Sequence, residues 1–170
     1  MKAMTRQQLD VVLAVAKAHS EDDYVALLIG FNHGLRVSEI LSLTPANIVN
    51  GCLVIQRLKG SRKTVQPLLP SEIPAIAARV AAGVPFFNIC RKTLWSHMKN
   101  YCAEAGVPFG RDFVAVHSLK HSCGRLGFKG GMTIPEVQAY LGHKNGANTM
   151  VYLQATEEEA ANAFAAAVGA

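Results

Sequence analysis

Between Asn50 and Pro70 the chain changes period. The runs GCLVIQRL (51–58) and KTVQPLLP (63–70) are short and rich in β-favouring residues, and Lys59, Gly60, Ser61 and Arg62 lie between them. Such a pattern predicts a hairpin or small sheet whose tip, at Lys59, is basic. The remainder of the chain repeats at helical spacing, so the fold must set one small antiparallel sheet into a helical body.

Thr5 with Gln8 and Ser20 with Asp23 are helix-start pairs. The first precedes Leu9, Val12, Leu13 and Ala16, and the second Tyr24, Leu27, Leu28 and Phe31. Gly34 ends the second helix, a short helix follows over 37–43, and Pro45 stops it, which puts Arg36 at a tight junction between helices. Further helices are predicted near 71–82, 91–105, 117–129, 134–141, 148–153 and 157–168, punctuated by Gly83, Gly106, Pro108, Gly130, Gly131 and Gly142. The predicted class is mainly α with a small antiparallel β-sheet or hairpin. Neither a repeat nor a linker divides residues 1–170, which read as a single domain.

A length of 170 residues with 50% hydrophobic content suffices for one buried core. The start of the chain lacks the pattern of a signal peptide, and the apolar stretch near 25–29 is too short to span a bilayer, so a soluble, cytoplasmic protein without membrane contact is expected. Cys52, Cys90, Cys102 and Cys123 show no metal-ligand spacing. They read as small, mostly buried hydrophobes in a reducing compartment, and no metal site is expected. The net charge of +5 is compatible with an anionic polymer as partner without requiring one; the cations gather at 57–63, 91–99, 111–129 and 143–144.

The ordered set GLRVSE (34–39), HSLKHS (117–122) and LGHKNGANTMVY (141–152) is more specific than charge. Tyr152 follows earlier segments that supply histidines and cations, the groups that hold a phosphodiester while a phenol oxygen attacks it. Taken singly, each residue has an ordinary structural role: Arg36 pairing with Glu39, Lys59 solvated in a turn, Tyr152 packing. GLRVSEILSL, LKGSRKTVQPL, HSLKHS and YLGHKNGANTMVY, in that order, together resemble the catalytic domain of the tyrosine recombinases, the phage integrase family, over roughly residues 5–165.

That resemblance implies a site-specific recombinase or integrase, which cuts and rejoins double-stranded DNA through a 3′-phosphotyrosine without metal, nucleotide or other cofactor. It assigns Arg36 as the first phosphate-binding arginine, Lys59 as the hairpin lysine, His117 as the histidine of an H-x-x-R box, His143 as the second histidine and Tyr152 as the nucleophile. Lys120 stands where the box has arginine. An ammonium is a point charge lacking the bidentate grip of guanidinium, so a weakened but usable site is expected. Arg125 lies off the one-turn spacing from His117 and does not replace the missing group.

Chemistry supplies the remaining roles. His117 accepts the phenol proton, and Lys59, on its hairpin tip, donates one to the departing 5′ oxygen. Arg91, Lys92 and Lys99 fall in the first turns of the 91–105 helix, which resembles one that the family lays against DNA, and Arg62 and Lys63 add phosphate contacts. His19, His33, His97 and His121 read as structural or surface residues and Trp95 as packing. The apolar stripe of the last helix can fold back onto its own core or dock into a neighbouring protomer; docking on DNA, giving an oligomer, is expected. Too few residues precede Thr5 for the family's N-terminal core-DNA-binding domain, and a phage or mobile-element origin is expected. Two alternatives remain: a recombinase-like DNA-binding module without cleavage, and a relaxing enzyme resembling type IB topoisomerases.

Overall fold

In a computed structural model, residues 3–58, 61–83, 85–110, 115–150 and 165 are described. Helices α1 (Arg6–His19), α2 (Glu21–Asn32) and α3 (Val37–Leu41) open the domain. Strands β1 (Ile48–Val49), β2 (Cys52–Ile55) and β3 (Thr64–Pro67) follow a single 3-10 turn. Then come α4 (Ile73–Ala82), α5 (Arg91–Glu104), α6 (Ser118–Lys129), α7 (Ile134–Leu141) and α8 (Ala147–Met150).

Both helix-start pairs form. The Thr5 hydroxyl accepts from Gln8 N while Gln8 Oε1 accepts from Thr5 N, and Ser20 Oγ accepts from Asp23 N. These bonds satisfy orphan donors in the first turns. Helix α2 is the spine: every residue from Val25 to Phe31 is buried, with α1 on one flank and α6 on another. Leu27 and Ile29 of α2, Leu9 and Val12 of α1, Leu94 and Met98 of α5 and Leu119 of α6 share one core. Burial of this apolar surface is what drives α5 and α6, distant in sequence, onto the first two helices.

The sheet has order β1-β2-β3 and is antiparallel throughout, with Cys52 opposite Pro67 and Ile55 opposite Thr64. The predicted hairpin is therefore present, and β1 is an addition: Ile48 pairs with Leu53 across a turn at Asn50 and Gly51, whose φ values are 50° and 73°. Positive φ at both central positions is what a two-residue turn between twisted strands requires. The other end of the hairpin rests on α7. Gly142 caps that helix at φ 68°, its carbonyl accepts from Arg62 N at 2.9 Å, and a Cβ there would lie 2.7 Å from Arg62 O. Only glycine lets these two segments approach so closely.

The third helix ends at Leu41, short of 43, and Pro45 begins the 3-10 turn. Apart from Ala165, which is helical, the predicted helix over 157–168 lies outside the described residues, as does the end of that over 148–153. Cys102 is buried and Cys52 and Cys123 partly so, but Cys90 is exposed at the start of α5, a correction to its reading as buried. Trp95 also departs from simple packing: it is 45% exposed, with its ring edge-on to Phe109.

Candidate active site

Arg36 precedes α3 in extended conformation and is fixed by the helix it starts. Its N–H donates to Glu39 Oε2 at 2.8 Å and its Nη1 to Glu39 Oε1 at 3.0 Å. Nη1 also reaches Leu58 O at 3.3 Å, and the guanidinium lies 3.5 Å from Ser61 Oγ. The side chain is 25% exposed. The pairing with Glu39 does not exclude a phosphate contact, since part of the side chain stays exposed at the base of the hairpin.

Beneath Arg36 sits Arg57, whose guanidinium is buried at the centre of a cage of acceptors. It donates to Thr64 Oγ1 at 2.9 Å, Gly34 O at 3.0 Å, His33 O at 2.8 Å, Tyr140 O at 3.3 Å and Glu39 Oε2 at 3.3 Å. These bonds tie β2 and β3 to the end of α2 and to α7. Glu39 also accepts from Leu58 N at 2.9 Å. Burial alone would raise its pKa, but hydrogen bonds from the Arg36 and Leu58 amides, with the charges of Arg57 and Lys120, outweigh this and hold its carboxyl below the usual range.

Lys120 projects from α6 toward the end of α7. Only 8% exposed, it donates from Nζ to Leu141 O at 3.0 Å. Burial, then the guanidiniums of Arg57 and Arg36, push its ammonium down to about 7, with Glu39 opposing them. His143 follows the Gly142 cap, where its N–H donates to Gln138 O, and its Nδ1 lies 2.9 Å from Thr149 Oγ1 of α8. Burial, then Lys120, Arg36 and Arg57, push this imidazolium down to about 4, so the ring is neutral at pH 7.

The structure thus brings together Arg36, Lys120 and His143, from three distant parts of the sequence. His117 is exposed at the start of α6 and borders a neighbouring recess of about 210 Å³ with Val37, Arg91 and Trp95. Arg91 and Lys92 are exposed in the first turn of α5. Lys99 lies about two turns further on, correcting its expected place in the first turns; its Nζ is 5.9 Å from the Trp95 ring centroid. Arg62 and Lys63 are exposed beside the Gly142 contact. Lys59 and Tyr152 lie outside the described residues. Arg57 and Glu39 are the participants that sequence reasoning missed as site builders. The R-V-S-E spacing carried the signal for Glu39, whereas Arg57 was one cation among several in its cluster. Among the described residues no group of three or more His, Cys, Asp or Glu side chains is placed to hold a metal. Nor is any described helix long and apolar enough to cross a membrane.

Residues 2–159 match the model of the phage integrase family. The chain is 27% identical over 172 residues to tyrosine recombinase XerA of Thermococcus kodakarensis, with 92% of this chain and 59% of XerA aligned. In structure it is similar to a XerA recombinase crystal structure, at TM-score 0.79 and 15% identity, over 96% of this chain and 64% of that one. A lambda integrase(75-356) dimer bound to a COC′ core site matches at TM-score 0.74 and 18% identity, over 93% and 61% of the respective chains.

The chain belongs to the phage integrase family, the tyrosine recombinases, and has the fold of their catalytic domain: mainly helical with a small three-stranded antiparallel sheet. It spans 59% of the length of the XerA protein that it matches. The expectation that Lys120 lowers activity is not borne out by these comparisons.

Proposed function

We propose that this chain is the catalytic domain of a site-specific DNA recombinase, with residues 1–170 as one catalytic unit. The observation that carries this reading is the cluster of Arg36, Arg57, Lys120 and His143, in which Glu39 is the paired carboxylate among the described residues, leaving net positive charge next to a partly exposed guanidinium. An anion offsets such an excess, and a phosphodiester carries its charge where Arg36 and Lys120 converge.

In the proposed reaction Arg36 and Lys120 hold the nonbridging oxygens as charge accumulates on them. His143, held neutral by its surroundings and fixed by Thr149, provides a hydrogen bond without adding repulsion. The Tyr152 oxygen bonds to phosphorus as the bond to the 5′ oxygen breaks, the phenol proton passes to His117, and Lys59 supplies a proton to the leaving oxygen. The reverse steps reseal a strand and need no external energy source, since the phosphotyrosine conserves the bond. Arg62, Lys63, Arg91, Lys92 and Lys99 are proposed as contacts to the DNA backbone or base edges. The lambda integrase complex is a dimer on DNA; here too we assign double-stranded DNA as partner and assembly through the 157–168 helix.

The test is incubation with a suicide DNA duplex, nicked so that the cleaved fragment is lost. A DNA recombinase gives an SDS-resistant adduct that Tyr152→Phe abolishes while DNA binding persists. Binding without any adduct would favour the non-cleaving module.

A further inference from the structure

We propose that binding of the scissile phosphate is coupled to uptake of a proton by the Lys120 amine, so that the free site holds a cation that can be switched off and DNA switches it on. This rests on the reading of Lys120 as a phosphate contact.

The geometry is that of a buried amine paired with no carboxylate among the described residues. Lys120 Nζ donates to Leu141 O at 3.0 Å, and among the described residues no carboxylate lies within ion-pair distance of it. Glu39 is close enough to act on the lysine, but its two oxygens already accept from Arg36 N, Arg36 Nη1, Arg57 Nη1 and Leu58 N. Two guanidiniums face the amine, one from the start of α3 and one from the end of β2. Desolvation and like charge both favour the neutral form.

The other groups facing Lys120 hold their charge state around neutrality. A guanidinium does not titrate in this range, and Glu39 stays ionised because its pKa is held low. His143, beyond the end of α7, is neutral above about 4; His121, on α6 itself, is shifted down by burial; and the Cys123 thiol is pushed up to about 12. The lysine, at about 7, is the member of this set that titrates there. An arginine in the same place would stay charged throughout, so the coupling is a consequence of this chain's departure from its family's motif. A phosphate oxygen supplies the missing counter-ion and raises the amine's affinity for a proton.

The sign follows from linkage. Below the free-site pKa the amine is already protonated, and affinity does not depend on its titration. Above it, each bound phosphate must draw in a proton, and affinity falls by up to about tenfold per pH unit until the bound-state pKa is passed.

The test uses the full chain carrying Tyr152→Phe, so that cleavage does not intervene, and a random-sequence DNA duplex as probe at constant ionic strength from pH 6 to 8.5. Affinity should be level below about pH 7 and fall above it, whereas adding Lys120→Arg should remove that fall. Titrating histidines are common to both proteins, so the difference belongs to position 120; identical profiles would overturn the proton coupling while leaving the contact intact. Lys120→Ala should bind more weakly than its parent at pH 6. Equal binding at every pH would remove the contact itself, and the coupling with it. A second measurement needs no variant at position 120: sulfate, an oxyanion that does not titrate in this range, should raise the melting temperature more at pH 6 than at pH 8.5. Equal increments at the two pH values would also overturn the coupling.

Discussion

Two buried polar clusters lie back to back across the end of α2, and they are balanced differently. On one side His33 places its ring nitrogens 3.0 Å from Gln66 Oε1 and 3.0 Å from Glu72 Oε2, and Glu72 also accepts from Asn32 and from Leu69 N. Burial alone would raise the Glu72 pKa, but His33 and these hydrogen bonds hold it below the usual range. On the other side Arg36 and Arg57 pair with Glu39, Lys120 lies close enough to feel its charge without pairing with it, and His143 is driven neutral by burial and then by the three cations. Both clusters join the sheet to the helices. In the first the Glu72 carboxylate finds its hydrogen-bond partners within the fold and serves as scaffold; the second keeps a cationic surplus and is poised for a ligand. A buried polar group is thus a functional pointer when its surroundings leave a charge unmatched.

Removing a partner from the balanced cluster should do the most damage. Glu72→Ala deprives His33, Asn32 and Leu69 N of their acceptor in a site closed to water, and should cost about 3–5 kcal/mol. Chemical denaturation would measure it, and a change under 1 kcal/mol would show that the cluster does not hold the fold together.

The unbalanced cluster should respond in the opposite direction. Lys120→Met removes a desolvated charge opposed by two guanidiniums and should raise stability by roughly 1–3 kcal/mol at pH 6 while weakening DNA binding. Because the folded-state pKa of the lysine lies below its unfolded value, the unfolded chain binds more protons between about pH 7 and 10.5. The stability gain from Met should therefore shrink as pH rises through that window. A loss of stability in the variant would mean that the lysine is well accommodated.

His143 sets a third expectation. Its pKa of about 4 lies below the unfolded value of 6.5, so its contribution to stability is complete above 6.5 and is lost as pH falls toward 4. Replacement with Gln should flatten the stability profile over that interval by about 1–3 kcal/mol, read from denaturation midpoints. An unchanged slope would relocate the acid sensitivity to other groups, Glu39 and Glu72 among them.

The smallest effects should come from exposed cations. Arg62→Ala, Lys63→Ala or Arg91→Ala should each leave the melting temperature within about 1 °C and reduce the salt dependence of DNA binding by about one phosphate contact. A variant with unaltered salt slope would be removed from the interface.

The legibility of these regions in the sequence differed for physical reasons. Helix starts such as Thr5 and Ser20 were readable because a hydroxyl accepting from a nearby amide is a local event, and α2 declared itself through its apolar spacing. The β2–β3 hairpin showed as a change of period. Strand β1 did not, since two residues carry no periodicity, although the Asn50–Gly51 pair was the available signal. Arg36, Lys120 and His143 were found through the order of short motifs, and the structure supplies their convergence. Arg57 could not be separated from Arg62 and Lys63 by type or spacing: one fills a cage of carbonyls while the other two face water, and only tertiary packing decides which. For the same reason the exposure of Trp95 and Cys90 was not legible.

The central claim is that the surplus charge around Glu39 receives a phosphate oxygen. A crystal structure of the Tyr152→Phe chain, grown at pH 6 and soaked in orthovanadate, would test it most directly. The account predicts an oxyanion within hydrogen-bond distance of both the Arg36 guanidinium and Lys120 Nζ. An oxyanion bound elsewhere while this pocket holds none, or one contacting Arg36 with Lys120 still turned to Leu141 O alone, would contradict it.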